Sequence, residues 1–474
     1  MKTQNRMLLS CASLLACLAT SASAQPPPNV VPSDNDENTA GGTGALAASQ
    51  SSTNDTAFGF NALNQMTIGR DSTAIGAFAL AQGQSSGGNT AVGSEVMWVA
   101  EGSRNTGVGV RALQSLTVGA DNVAIGAEAM LTNTTGKNNV ALGSLALSAN
   151  TTGESNVAAG YQAMFRNTSG TDNVAIGLSS LQANSTGQRN LAIGTESLAG
   201  NTVGNNNTAY GDHSLRNNTN GNSNSAYGKS ALQANSTGYH NTGLGTDASF
   251  STTTGIENVA VGFDSLYSNT TGSGNISLGV DAGYNLTTGS NNIDIGNRGI
   301  AADRATIRIG TSGIQTATYV AGVTSAHISG SPVYVTSSGQ LGVLASSERY
   351  KTGVESVHSE VDKLKHLRPV RYRLKDDRQG TAQYGLIAEE VDKVYPELVV
   401  RDPDGEIQGV RYDELTPLLL SELQQQQATI AVQNGQLRDV RRELDELKRA
   451  NVEMRGLLKR LAMSEENTAS AGRN

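Results

Sequence analysis

Between Asn54 and Gly296 one short unit returns at an almost constant spacing, and any fold of this chain has to accommodate it. Each copy carries Asn-x-Ala-x-Gly, as in Asn122-Val123-Ala124-Ile125-Gly126, Asn139-Val140-Ala141-Leu142-Gly143 and Asn173-Val174-Ala175-Ile176-Gly177. The closing glycines run from Gly59, Gly76, Gly93 and Gly109 to Gly279 and Gly296. Successive ones are 17 residues apart, with a single step of 16 between Gly93 and Gly109. Fifteen copies at this period predict a solenoid, in which one coil cannot bury its apolar face alone and many stacked coils can.

The unit has three parts. Asn-x-Ala-[Ile/Val/Leu]-Gly predicts a short strand with small alanine on one face and a branched aliphatic on the other. Next comes x-x-[Ala/Ser]-Leu (Ala112-Leu113, Ala146-Leu147, Ala231-Leu232), read as a second short extended segment. Asn-[Ser/Thr]-Thr-Gly follows (Asn184 to Gly187, Asn235 to Gly238) and predicts a turn whose glycine takes positive φ. Glycine, asparagine and threonine at this density disfavour helix. Stacking the coils sets Asn on Asn and Leu on Leu. These units resemble the β-roll heads of trimeric autotransporter adhesins, although the 17-residue period is longer than is usual there. The resemblance implies coiled parallel β structure and three chains packed together.

Composition agrees with a thin, repetitive core. Aromatic residues are 4 % and charged residues 16 %, against 54 glycines in 474 residues. A net charge of −8, without basic tracts, disfavours nucleic acid and anionic membrane as partners. His213, His240, His327, His358 and His366 never fall at ligand spacing, so neither a metal site nor a cofactor is expected. Scattered Asp and Glu offer no recurring carboxylate pair for glycosidase chemistry.

Residues 1–24 read as a signal peptide. Lys2 and Arg6 precede an apolar run from Met7 to Ala19, and Ala22-Ser23-Ala24 sets cleavage between Ala24 and Gln25. Both cysteines, Cys11 and Cys17, lie in that segment, so the processed chain would carry no thiol. Leu14-Leu15-Ala16-Cys17 also resembles a lipoprotein box, which would retain Cys17 as a lipid anchor and give the only membrane contact expected. Residues 25–52 lack periodicity and large apolar groups and are expected to be a disordered spacer, ahead of β-roll repeats over 53–300.

Residues 301–345 break the period. Ala305 to Ile309, Ala317 to Val320 and Pro332 to Val335 read as strands of a β-rich neck. From Ser346 the chain becomes charged. Over 346–425 a small α+β unit is expected: a helix within Val354 to Leu367, strands at Val370 to Leu374 and Gln383 to Ile387, and a short helix at Ala388 to Val394. A strand pair, Glu397 to Val400 with Ile407 to Tyr412, completes it around Asp402-Pro403-Asp404-Gly405. A C-terminal helix over 413–464 carries heptads, with Leu437, Leu444, Asn451 and Leu458 at a and Val440, Leu447, Met454 and Leu461 at d. Glu443 at g and Lys448 at e suit an interhelical pair, and Asn451 suits a polar layer that fixes register. Upstream, Gln426 and Gln433 fall at d and Gly435 interrupts the pattern. One helix folding back on its own domain is the plain alternative to a coiled coil.

At the seam stands Ser346-Ser347-Glu348-Arg349-Tyr350-Lys351. A serine hydroxyl becomes a nucleophile when a neighbouring base takes its proton. A lysine becomes that base when burial or nearby positive charge disfavours its ammonium form, and Arg349 is placed to supply such charge. Spacing alone also fits an ordinary ion pair.

Residues 346 to about 425 resemble the intramolecular chaperone auto-processing domain of phage tailspikes, tail fibres, endosialidases and myelin regulatory factor. The resemblance is carried by Ser346 to Lys351, Leu364 to Tyr372, Gly385 to Val391, Pro396 to Val399 and Val410 to Tyr412. It implies that Ser346 attacks the Ala345 carbonyl, that Lys351 accepts the proton, and that Ala345–Ser346 is cut. Ser347 departs from the aspartate more usual there. It further implies that three C-terminal domains align three repeat chains in register before leaving. The expectation is an exported trimeric fibre-like or adhesin-like protein, secreted or held at the cell surface, that matures by self-cleavage. The alternative keeps this architecture with an uncleaved trimerisation module. A surface glycan or protein receptor would suit the repeats as a partner.

Overall fold

The computed structural model describes residues 34–471, apart from 85–86, 322, 324–330, 337, 358–360, 376–378 and 403 and the side chains of 361–362 and 465–471. The expected signal peptide, Cys17, Ala24, Gln25 and the first part of the spacer lie outside these residues. The chain divides into two units between Tyr319 and Val320.

The first unit is a parallel β-solenoid. Seventeen three-residue strands, β1 (Thr39–Gly41) to β17 (Ile307–Ile309), hydrogen-bond in sequence order into one sheet, one strand per coil. The register follows the repeat, with Ala124 opposite Ala141 and Ala141 opposite Ala158. These alanines are fully buried and pack with Leu147, Leu181, Met130 and Met164, while the residues beside them face outward. Alanine is the side chain short enough to let opposite walls of so narrow a coil meet.

Three local expectations are corrected. The x-x-[Ala/Ser]-Leu segment is a turn, and its leucines take left-handed φ: 52° at Leu113, 51° at Leu147 and 53° at Leu232. Left-handed backbone costs an L-residue roughly 1–2 kcal/mol, which burying the leucine offsets on a similar scale. Inter-coil bonds such as Leu147 N–H to Ala163 O at 3.0 Å complete the exchange. Positive φ also belongs to the closing glycines (Gly177, +133°), not to the turn glycines. At Gly187 the constraint is space, because a Cβ there would sit 2.5 Å from Gly204 O. The array, finally, begins inside the expected spacer and ends beyond residue 300. Asn38-Thr39-Ala40-Gly41-Gly42 is a coil, with Ala40 opposite Ala57. Its outward glycine, where other copies carry an aliphatic or aromatic residue, hides it from the pattern.

Two buried asparagine ladders tie the coils together. Asn173 Nδ2 donates to Asn156 Oδ1 at 3.1 Å and to Gly187 O at 2.8 Å, and its own Oδ1 accepts from Asn190 N–H at 3.0 Å. In the second ladder Asn167 Nδ2 donates to Asn150 Oδ1 at 2.7 Å and to Gly170 O at 3.2 Å. A buried amide supplies donors and an acceptor together, so each coil satisfies the next without charge.

The inward column turns polar where the stack ends. Ala260 is followed by Ser277, Asp294 and Arg308, and the last step shortens to 14 residues, Ile293 opposite Ile307. A terminal coil has no neighbour to cover apolar groups. Arg308 binds the Asp303 carboxylate at 2.6 and 2.7 Å, which holds Asp303 below the usual carboxylate range. Asp294 is buried, and desolvation, reinforced by Asp303 and opposed by Arg308, pushes its pKa up to about 6. A raised native pKa means the folded state holds a proton that the unfolded state has released. Stability from this group is therefore full below pH 4 and is lost as pH rises to about 6, a change of roughly 3 kcal/mol. Asp294→Asn is expected to raise the melting temperature above pH 6 and to flatten its pH dependence between 4 and 6. Parallel melts across that range check it.

The expected neck is sparser than its sequence suggested. Ile307–Ile309 joins the solenoid, β18 (Tyr334–Val335) pairs antiparallel with β19 (Leu341–Gly342), and Ala317 to Val320 forms no strand. That last stretch is exposed, so its backbone has no sheet edge to complete.

Besides β18 and β19, the second unit holds two small antiparallel pairs among the described residues, β20 (Val370–Tyr372) with β21 (Gln383–Gly385) and β22 (Val399–Arg401) with β23 (Ile407–Val410). Its helices are α1 (Val361–Leu364), α2 (Ala388–Val391) and α3 (Tyr412–Ala471). The helix expected over Val354 to Leu367 is only the single turn α1 among the described residues. α3 is a single helix of 60 residues that runs through Gly435, where the heptad pattern is interrupted, without a break.

Candidate functional site

The motif blocks after Lys351, dispersed over some fifty residues, meet around one core. Val391, Tyr395, Leu398 and Val399 are buried, with Leu364, Leu367, Leu386 and Val410 packed against them. Arg368 grips Glu390 through Nε and Nη2 at 3.2 and 2.5 Å, joining the first block to α2, and this pairing lowers the Glu390 pKa. Tyr412 Oη accepts the Leu386 N–H at 2.8 Å. Gly385 makes that approach possible, since a Cβ there would lie 2.5 Å from Tyr412 Oη. Sequence reading picked out both residues without seeing that they touch, because 26 residues separate Leu386 from Tyr412.

Ser346 and Lys351 sit outside that core. Ala345 and Ser346 are irregular backbone, and Glu348–Tyr350 forms one 3₁₀ turn. Tyr350 N–H donates to Ser347 O at 3.0 Å and Lys351 N–H to Glu348 O at 2.9 Å. The serine and the lysine thus flank a single tight turn, which explains how a five-residue spacing can serve one local site. Residues 345–351 are all exposed, and among the described residues no hydrogen bond joins Ser346 to Lys351. The Arg349 guanidinium lies over the Tyr350 ring, 4.7 Å from its centroid, so its expected role as a charge beside Lys351 has a competing partner. Beyond the turn, Ser421 of α3 donates to Val357 O at 3.2 Å, fastening this irregular stretch to the long helix.

The heptad stripe of α3 is solvent-exposed among the described residues. Leu437, Val440, Leu444, Leu447, Leu458 and Leu461 are all exposed. Lys448, expected to reach Glu443 of a neighbouring helix, bonds Asp445 at 3.4 Å in the single chain. The helix is about 90 Å long and carries this apolar stripe exposed.

The comparison with known protein families decides what this unit resembles. Residues 346–400 match the family described as chaperone of endosialidase. The match begins on Ser346 itself and takes in the 3₁₀ turn, the Arg368–Glu390 pair and the buried core. It covers this C-terminal segment alone. No curated protein and no solved structure matches the chain. A chaperone segment behind a parallel β-solenoid fits a tail-fibre-like protein.

Proposed function

We propose that the chain is an exported, trimeric, fibre-like surface protein whose C-terminal chaperone assembles three solenoids and then cuts itself off at Ala345–Ser346. The observation that carries this reading is the order of parts: a solenoid of near-identical coils, then a chaperone match starting at Ser346. Neighbouring coils are so alike that a slip of one coil costs little, so a C-terminal clamp that sets three chains level has a clear use. Exposed heptads on α3 suit that clamp.

In the proposed step, neutral Lys351 Nζ takes the Ser346 hydroxyl proton as Oγ attacks the Ala345 carbonyl carbon. The C–N bond breaks, the lysine returns the proton to the departing Ser346 nitrogen, and the acyl group rests on Oγ as an ester. Water then hydrolyses the ester, leaving the Ala345 carboxylate and a new N-terminus at Ser346. Both side chains are exposed in the single chain, so the low-dielectric wall this chemistry needs would come from neighbouring chains. Cleavage would then follow assembly, and the freed shaft would be hard to unfold.

A second reading is favoured by the same exposure. The domain then remains an uncleaved trimerisation module, and Lys351 is an ordinary surface cation. Sedimentation together with the intact mass of the purified full chain separates the two. A trimer with residues 346–474 released supports the first, a full-length trimer leaves the second, and a monomer removes both. Residues 1–24 would direct export, and mass of the secreted chain beginning at Gln25 checks that assignment against a lipid on Cys17.

A further inference from the structure

The outward face of the solenoid sheet is uncharged along its full length and is built of aliphatic, aromatic and hydroxyl side chains. Each strand presents its first and third residues, as Val123 and Ile125 do on either side of buried Ala124. From β1 to β17 neither outward column contains a charged residue, an asparagine, a glutamine or a histidine. The rest of the coil surface is rich in them: Arg111, Glu128, Lys137, Asp172 and Arg189 all lie off this face. A solvated strand face normally alternates polar side chains outward, and a long exposed apolar one is an association surface.

The face is also written in blocks, beginning with β1 to β5, where the first column is threonine in every strand. From β6 (Val123–Ile125) to β10 (Leu191–Ile193) both columns are wholly aliphatic. β11 (Thr208–Tyr210), β12 (Ser225–Tyr227) and β13 (Thr242–Leu244) then bring Thr or Ser in the first column, with tyrosine twice in the second. From β14 (Val259–Val261) to β17 both columns are aliphatic again.

We propose that this strand face is where copies of this chain pack side by side, parallel, and that its blocks set their register. The proposal rests on the assembly reading above and names the surface that assembly would use. Size supports a copy as the occupant. Seventeen strands spaced about 4.8 Å apart give a strip about 80 Å long, and two residues across it make roughly 800 Å². That is the area one partner contributes to a stable interface, about 800 Å². Chemistry supports it too. A glycan or a polar receptor would meet no polar group on β6 to β10 or β14 to β17, whereas a second copy sets aliphatic on aliphatic and hydroxyl on hydroxyl at the same inter-coil spacing for every strand. A slip of three coils would set aliphatic side chains of one copy against the Thr/Tyr block of the next, so only level alignment matches every block.

Cysteine crosslinking tests both clauses, using the full chain with Cys11→Ser and Cys17→Ser as background. Ile176→Cys, on the face, is expected to form a disulfide-linked pair of chains under mild oxidation. Thr186→Cys, exposed on another side of the coil, is expected to stay single. Mixing chains bearing Ile125→Cys with chains bearing Ile176→Cys is expected to yield 125–125 and 176–176 products and no 125–176 product. Sedimentation of each variant accompanies the crosslinking and shows whether it assembles. An oligomer that crosslinks at 186 and not at 176 overturns the face while leaving assembly intact. Abundant 125–176 product overturns the register clause. A monomeric background protein overturns the assembly reading and this proposal with it.

Discussion

Ser346→Ala is expected to leave the chain full length after it has assembled, under conditions where the proposed cleavage would release residues 346–474 from the parent chain. Removing a nucleophile that acts together with its base lowers turnover by on the order of a millionfold, so no fragment should appear over days. Lys351→Ala should behave the same way. Lys351→Arg is the sharper variant. Arginine keeps the positive charge and can still satisfy an ion pair, yet it stays protonated and cannot accept the serine proton. Loss of cleavage in Lys351→Arg therefore separates a base from a surface cation. Residues 345–351 are exposed and lie outside the buried core of the second unit, so these substitutions should leave its fold unchanged. Intact mass and denaturing electrophoresis read the outcome. A Ser346→Ala chain that still parts at Ala345–Ser346 would remove the dyad from the mechanism.

Gly177→Val should disrupt the solenoid locally and severely, by more than about 4 kcal/mol, where ordinary surface changes cost about 0.5. Gly177 has φ of +133°, which side chains rarely adopt, and a Cβ there would stand 2.5 Å from Gly194 O and 2.7 Å from its carbonyl carbon. Both obstacles are backbone, so relief requires two coils to part and the adjoining asparagine ladder to open. Gly296 occupies the same place in its own copy, yet φ is +58° and nothing lies within 4 Å of a Cβ. The shortened last coil leaves that space empty. Gly296→Asn should cost less than about 1 kcal/mol, since asparagine visits left-handed φ readily. Limited proteolysis should therefore cut the Gly177→Val chain near residue 177 and leave Gly296→Asn resistant. Equal resistance of the two would sink the close-approach argument.

Much of the architecture was legible because a repeat repeats its physics. Asn-x-Ala-x-Gly at period 17 predicts stacked parallel strands, inward alanine and Asn on Asn, and the register of every inner coil follows. What misled was conformation within the coil. Ala146-Leu147 looks like a strand fragment because leucine rarely takes left-handed backbone, and the turn only becomes affordable once neighbouring coils bury the leucine. The first coil escaped notice because Gly41 stands where other copies hold a larger outward residue. At the seam, Ser346 and Lys351 were visible as residue types, and the matched blocks made them worth testing. Their exposure was not visible, because burial depends on what packs against the turn and not on the turn's own residues.

The sequence alone determined the parallel solenoid, the seam at residue 346 and the long heptad helix, because each rests on periodicity or local residue chemistry. Tertiary structure decided which glycines tolerate a side chain, that the dispersed blocks close around Tyr395 with Tyr412 bonded to Leu386, and that the next-to-last coil buries Asp294. Those features depend on distances between atoms remote in the chain, which no local pattern encodes.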